Sequence, residues 1–371
     1  MNDREPQGGP GAHANAGYLL LHPEDLEGLV GMADAIDAIE KAYAEAAAWP
    51  MVNAPRRRIH SPNSVRFSCF PGAVPALGVI GIVEHTERVV QDGPIQRTVD
   101  REHQICILHD ASDSRLLALL VGSIPERIVG YTARTALRTG ATSGVGFKHL
   151  ARADSAVCGL IGAGAQAVTQ LQALTAVRPI ERVNVHTRTP ENRERFAEAY
   201  GPLFGVEIVP VDEAQKAVAG ADVVIAATNT NVPVVFGDWL EPGQHVTSIV
   251  GSNIALVRAG WLDAPRREVD DAVVLRADCI AVNSREQVVQ DEQGDLFGLV
   301  TDGRVALDEI AEIGEIANGD RPGRASDDQI TLHKNNAGTG AADIAIAVVA
   351  YREAKAQGRG QWMGVAPIAR D

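Results

Sequence analysis

Little in this chain of 371 residues points to a membrane, a nucleic acid or a metal. No segment holds enough consecutive apolar residues to cross a bilayer. Basic residues are outnumbered, 34 Lys and Arg against 48 Asp and Glu. The resulting formal net charge of -14 argues against nucleic-acid and anionic-membrane partners, which need a basic surface. The four cysteines, Cys69, Cys106, Cys158 and Cys279, are scattered with no CxxC pair. They read as small buried hydrophobes of a reducing compartment, with the cytoplasm as the default. The ten His residues form no ligand-spaced cluster and no HExxH pattern occurs, so no metal site is expected. Aromatics are scarce at 4%, whereas Ala, Val, Ile and Gly are plentiful, which suits Val/Ile-rich parallel strands covered by Ala-rich helices.

What is present falls into an ordered pattern, long enough for two domains with separate cores. The opening MNDREPQGGPGAHANAG is polar and Gly-rich and has no signal-peptide apolar stretch, so residues 1–17 are expected to be a disordered tail. Tyr18–Leu21 reads as a strand and Pro23–Ala48 as a helix, with Ile36, Ile39 and Tyr43 on one face. Short apolar runs from Ser64 to Leu120 (VRFSCF, LGVIGIVE, QICILHD, RLLALLV), set apart by turn signals at Pro71-Gly72 and Asp110–Asp113, predict a mostly antiparallel sheet. A helix over Arg134–Leu150 precedes a regular strand–helix alternation. It comprises strand Ala156–Ile161, helix Ala165–Val177, strand Arg182–His186, helix Asn192–Tyr200, strand Val206–Pro210, helix Ala214–Ala219, and strands Val223–Ala226 and His245–Ile249. That alternation predicts a Rossmann-type doubly wound parallel sheet. With a last helix at Gly340–Ala356, the fold class is α/β. A dinucleotide-binding domain at 134–325 is inserted in an α/β substrate and dimerisation domain at 18–133 and 326–371.

The segment VCGLIGAGAQAVTQLQAL runs strand, glycine turn, helix. Gly162 permits the tight turn, Gly164 lets a pyrophosphate approach the backbone, and Ala165 and Gln166 open the helix whose positive end faces the phosphates. A Gly-x-Gly alone fits any tight strand-to-helix turn, but here Ala167 stands where the fingerprint takes its third Gly or Ala, inside a βαβ unit. At the end of the second strand, an acidic residue would accept the ribose hydroxyls of NAD. Thr187-Arg188-Thr189 stand there instead, and a guanidinium with two hydroxyls matches a 2′-phosphate, favouring NADP(H) over NAD(H). Thr228, just past the strand Val223–Ala226, joins the cofactor-binding candidates.

With GLIGAGAQA at 159–167, five further segments carry a resemblance. They are LLLHPEDLEGLVGMADAIDAIEKAYAE, RTALRTGATS at 134–143, LEPGQHVTSIVGSN at 240–253, NSREQVVQDEQGDL at 283–296 and NNAGTGAADIAIA at 335–347. Over about Tyr18 to Gly358 the chain resembles the ornithine cyclodeaminase/μ-crystallin family. The resemblance implies an NAD(P)-binding domain, a substrate domain that usually dimerises through its sheet, and hence a homodimer. The activities it implies are ornithine cyclodeamination, alanine dehydrogenation and reduction of cyclic or linear imino acids; one branch binds a hormone. It also implies that Arg56, in APRRRIHS, and Arg138 hold a substrate carboxylate, with Arg57 and Arg58 as competitors of Arg56.

Two departures bear on the chemistry. Where many members carry a strand Lys this chain has Ile80 and Gly81, and where cyclodeaminases and alanine dehydrogenases carry an Asp it has Asn253. Asn orients an amine but accepts no proton as a carboxylate does. Glu84, His85 and Lys334 are the candidates for moving the proton, and Asn253 for positioning the nitrogen. The reading is an NADP(H)-dependent oxidoreductase acting on a C=N or C–NH bond of a small amino- or imino-acid-like substrate. Two others stay open: a cyclodeaminase-type ammonia lyase on tightly bound NAD, and a non-enzymatic NADPH- or ligand-binding protein.

Overall fold

The computed structural model describes residues 17–54, 57–92, 95–101, 104–129, 136–252, 254–258, 260, 263–336 and 338–364. The chain begins with β1 (Gly17–Leu21) and α1 (Met32–Ala48), then β2 (Arg57–His60), β3 (Val65–Val74), β4 (Val79–Asp92), β5 (Ile95–Arg101), β6 (Ile105–Asp110) and β7 (Leu116–Val121). After α2 (Ala136–Leu150) come β8 (Val157–Ile161), α3 (Ala165–Val177), β9 (Arg182–His186), α4 (Pro190–Phe204), β10 (Glu207–Pro210), α5 (Ala214–Val218), β11 (Val223–Ala226) and β12 (His245–Ser248). The short elements α6 (Ile254–Arg258), α7 (Asp271–Arg276), β13 (Cys279–Val282), α8 (Arg285–Gln290), α9 (Phe297–Thr301), β14 (Ala311–Glu312), α10 (Ile313–Asn318) and β15 (Thr331–Lys334) follow. The chain closes with α11 (Gly340–Ala356) and β16 (Gln361–Gly364).

The strands form two sheets. The first runs β16-β1-β7-β6-β4-β3-β2 with β5 on β4, antiparallel except where β1 lies parallel to β7. Alternation along its strands separates two faces. Leu19, Leu108 and Ala118 are fully buried against the helices, while their neighbours Leu20, Ile107 and Leu119 point to the other face and are half-buried. The second sheet, β10-β9-β8-β11-β12-β15-β13-β14, is parallel throughout. Its central strands are fully buried on both faces, as Val/Ile-rich parallel strands are. α1, α2 and α11 pack on one another between the sheets, and a single apolar core runs through them.

Three expectations need correction. Pro71-Gly72 is no turn but lies inside β3. β2 stops opposite Cys69, so Pro71 sits on an edge where its missing N–H is tolerated. Gly72 is required because a Cβ there would lie 2.2 Å from the Ala341 nitrogen at the start of α11. Nor is Pro23–Ala48 one helix: a single 3₁₀ turn at Pro23–Leu26 ends before Gly28, whose φ of 67° breaks the helix, and α1 starts only at Met32. Finally, the expected domain boundary at 325/326 precedes β15, which hydrogen-bonds between β12 and β13; the chain returns to the first sheet after Lys334.

α1 and α2 are clamped by charge as well as by packing. Glu40 accepts from Lys148 Nζ at 2.5 Å and pairs with His149 Nε2 at 2.6 Å, both residues lying in the last turn of α2. The His149 contact, with Lys148 beside it, overcomes partial burial and holds the Glu40 carboxyl down at about 2, from an ordinary 4.5. Because the folded value is depressed, the stabilisation is complete above pH 4.5 and is lost as pH falls towards 2. Glu40→Gln should therefore lower unfolding free energy at neutral pH by about 1 kcal/mol, after discounting for solvent screening. It should also flatten the acid side of the stability curve; denaturant titrations with the same pH slope in both proteins would contradict this.

Candidate active site

The glycine turn leaves β8 at its carboxyl end. Gly162 has φ 114°, and a Cβ on it would lie 2.2 Å from the Ala227 carbonyl oxygen and 3.5 Å from Thr228 Cγ2. Only glycine fits there. Gly164, the N-cap of α3, is different: a Cβ on it would meet nothing within 4 Å. Neither φ nor packing demands a glycine at Gly164; its value is open backbone in front of the Ala165–Gln166 helix start, which suits an approaching pyrophosphate. Ala167 is fully buried, where a larger residue would push α3 off the sheet.

At the end of β9, Arg188 is exposed and makes no hydrogen bond or ion pair among the described residues. Thr187 and Thr189 flank it, Thr189 as N-cap of α4. Arg193, which sequence reasoning missed, donates from Nη1 to the Thr187 carbonyl at 3.0 Å, so a second guanidinium sits beside this loop. Its signal was the position in the first turn of the following helix.

Lys334 lies at the end of β15, but not as a free base. Its three donors are used: Ser248 Oγ at 2.9 Å, the Val250 carbonyl at 2.8 Å and Asp295 Oδ2 at 2.6 Å, at 1% exposure. The structure thus corrects its candidacy for proton transfer. Across the cluster, Glu268 Oε1 accepts from the Thr228 N–H and hydroxyl at 2.6 and 2.8 Å. Glu268 Oε2 accepts from Ser248 Oγ and the Ile249 and Val250 N–H groups, each at 2.8 Å. Burial pushes the Glu268 carboxyl up and Lys334 pulls it back. Asp295, despite its own burial, is held down by Lys334 and by its hydrogen bonds. No sequence pattern had singled out Glu268 or Asp295.

The next residue turns to α2. Asn335 Nδ2 donates to the Thr139 carbonyl at 2.9 Å and Ser143 Oγ at 2.8 Å, in the stretch of α2 that directly follows Arg138. Arg138 donates from Nε to Asp343 Oδ1 on α11 at 3.0 Å, the two side chains 12% and 14% exposed. Among the described residues its two terminal nitrogens make no hydrogen bond. Gly338 packs against the guanidinium, where a Cβ would stand 2.4 Å from Nη2, so a side chain at 338 would displace it. Burial pushes the Asp343 carboxyl up, against the pull of Arg138.

The start of α11 links Arg138 to the first sheet. A Cβ on Gly340 would lie 2.0 Å from the Pro71 carbonyl and 2.8 Å from that of Phe70. Phe70 stacks on His85 at 5.7 Å between centroids, and His85 Nε2 lies 3.8 Å from Glu87 Oε1, itself bound by Arg66. Glu84 and His85 do not share a face: His85 follows Val83 and Gly81 towards α11, and strand alternation turns Glu84 to the outer face. The structure thus corrects the placing of Glu84 at the site. Ile80 also points outward, 46% exposed, and a Cβ on Gly81 would lie 2.1 Å from the Ile107 carbonyl. Arg56 and Asn253 lie outside the described residues.

The glycine turn, the Glu268–Lys334 cluster and Arg138 thus converge from three elements on the carboxyl edge of the second sheet, where open α/β sheets bind ligands. The model of the ornithine cyclodeaminase/mu-crystallin family matches residues 18–358. The chain belongs to that family. A Delta(1)-pyrroline-2-carboxylate reductase of Bacillus cereus is 29% identical over 347 residues, 92% of this chain and 98% of that protein. The solved structure of the Thermococcus litoralis Delta(1)-pyrroline-2-carboxylate reductase in complex with NADH and L-proline is 31% identical, with a TM-score of 0.74 over 92% of this chain and 99% of that one. An archaeal alanine dehydrogenase dimer with bound NAD is 26% identical, with a TM-score of 0.75 over 94% and 99%. No helix among the described residues is long and apolar enough to cross a membrane.

Proposed function

We propose that this protein is an NADP(H)-dependent oxidoreductase that reduces the C=N bond of a small imino acid carrying a carboxylate, or runs the reverse oxidation. The observation that carries this reading is Arg138: a guanidinium fixed through Nε by Asp343, whose terminal nitrogens make no hydrogen bond among the described residues and whose neighbour at 338 is a glycine. Such a fork suits a carboxylate through two parallel charge-assisted bonds. Relatives named for reducing pyrroline-2-carboxylate, one of them solved with NADH and L-proline, support the same reaction class.

The residues of the glycine turn fit a dinucleotide, since Gly164 leaves the backbone open at the helix start. When bound, the nicotinamide supplies the hydride. The chain's own residues do the rest: Arg138 holds the carboxylate, with Arg56 as its partner, and Asn253 positions the nitrogen. His85, on the cleft side of β4, delivers the proton. Arg188, between Thr187 and Thr189, meets the 2′-phosphate, and Thr228 belongs to the nicotinamide half. The cytoplasm fits four cysteines that are all free thiols; cell fractionation checks it.

The outer face of the first sheet supports a homodimer. Leu20, Leu119, Ile107 and Ile82 stand in one row across β1, β7, β6 and β4, half-buried in a single chain. A contiguous apolar row of this kind marks an interface, and the archaeal relative is described as a dimer.

Three measurements test these statements. With a panel of cyclic and linear imino acids, Arg138→Ala should lower kcat/KM about 100-fold, chiefly through KM. An unchanged value removes Arg138 from the site, and ammonia release without net nicotinamide turnover overturns the reductase reading. In fluorescence titrations NADPH should bind more tightly than NADH, and Arg188→Ala should erase a difference of roughly tenfold or more. Tighter NADH binding by the unaltered protein rejects the 2′-phosphate assignment. Light scattering should give a dimer that Ile82→Asp with Ile107→Asp splits; a monomeric unaltered protein contradicts the interface.

A further inference from the structure

The buried Glu268–Ser248–Asp295–Lys334 cluster is larger than a helix–sheet contact needs, and its donors are not scattered. All five that reach Glu268 come from just beyond β11 (Thr228) and from the end of β12 (Ser248, Ile249, Val250). The Val250 peptide is gripped from both sides, its N–H by Glu268 and its carbonyl by Lys334. Ser248 has one proton to give. It accepts from Lys334 and can satisfy only one of the two carboxylates that face it, Glu268 at 2.8 Å and Asp295 at 2.7 Å. Asp295 in turn holds the Glu268 and Val269 N–H groups, fixing the backbone that carries Glu268.

In strand order β10-β9-β8-β11-β12, the pyrophosphate turn lies at β8 and the 2′-phosphate loop at β9, leaving the ends of β11 and β12 to the other half of a dinucleotide. One residue past the gripped peptide, Gly251 repeats the feature seen at Gly164: a Cβ there would meet nothing within 4 Å, and no left-handed φ calls for a glycine. Two exposed glycines, one in each half of the carboxyl edge, leave backbone open to a ligand that lies along both.

We propose that Glu268, with Lys334, Asp295 and Ser248, is the positioning set for the nicotinamide half of the cofactor site. It fixes Thr228 and the 249–251 backbone and touches no reacting atom itself. This rests on the reading that the β8–α3 turn holds a nicotinamide dinucleotide, and the test separates the two. Full-length protein is titrated with NADPH and with adenosine 2′,5′-bisphosphate, which carries the adenosine half alone. Glu268→Gln keeps the shape but turns an –NH₂ towards groups that donate. It should weaken NADPH about tenfold, the effect of one charge-assisted contact, while the bisphosphate Kd stays within about twofold. Ser248→Ala leaves the three charges in place and, should Glu268→Gln not fold, carries the same test, with NADPH weakened about threefold and the bisphosphate unchanged. Equal weakening of both ligands, or of neither in a folded variant, shows a merely structural cluster and overturns the proposal. Failure of the unaltered protein to bind NADPH, NADH or the bisphosphate sinks the dinucleotide reading itself.

Discussion

Lys334 and Asn335 leave the end of β15 in different directions, as consecutive extended residues do, and each carries one half of the cleft. Lys334 reaches across to the end of β12 and closes the Glu268–Asp295 cluster, while Asn335 ties the same backbone to α2 just after Arg138. Three residues past Asn335 the chain passes Gly338 against that guanidinium and enters α11, which supplies Asp343. One short strand thus sets the spacing between the sheet edge proposed for a cofactor and the arginine proposed for a substrate.

The ionic part of this junction is physically demanding. Two carboxylates and one ammonium are taken almost wholly out of water, and removing one partner of such a set typically costs about 3–5 kcal/mol because a charge is left alone. What compensates here is hydrogen bonding: every Lys334 donor is used, both oxygens of Glu268 and Asp295 Oδ1 accept at least two bonds each, and Asp295 Oδ2 accepts from Lys334 and competes with Glu268 for the Ser248 proton. A cluster satisfied in this way is stiff, since any displacement of the 248–250 backbone breaks several bonds together.

Much of the architecture was legible because it rests on periodicity. The glycine turn, α3 and the alternation through β12 follow from Val/Ile runs separated by amphipathic segments, and they match the structure within a residue or two at most ends. β15 was invisible for the opposite reason. Thr331, His333 and Lys334 are polar, yet all four of its residues are buried, and burial pushes the His333 imidazole down to about 3, so that it stays neutral and bonds Asn283. Glu268, Asp295 and Asp343 were missed because a carboxylate in a chain this acidic carries no mark of burial. Lys334 was noticed but given the wrong work, since sequence cannot tell a lysine whose donors are saturated from one that is free. Pro71-Gly72 misled because the pair signals a turn by its chemistry, whereas here the glycine answers to the backbone of a helix far along the chain.

The place where the resemblance would put a strand lysine has a steric meaning. At Ile80 a new lysine would point away from the cleft, and at Gly81 its first carbon would collide with the neighbouring strand's backbone. A lysine reaching the cleft from either position would need the pairing of β4 with β6 to part first, so a proton donor on this strand has to stand elsewhere along it.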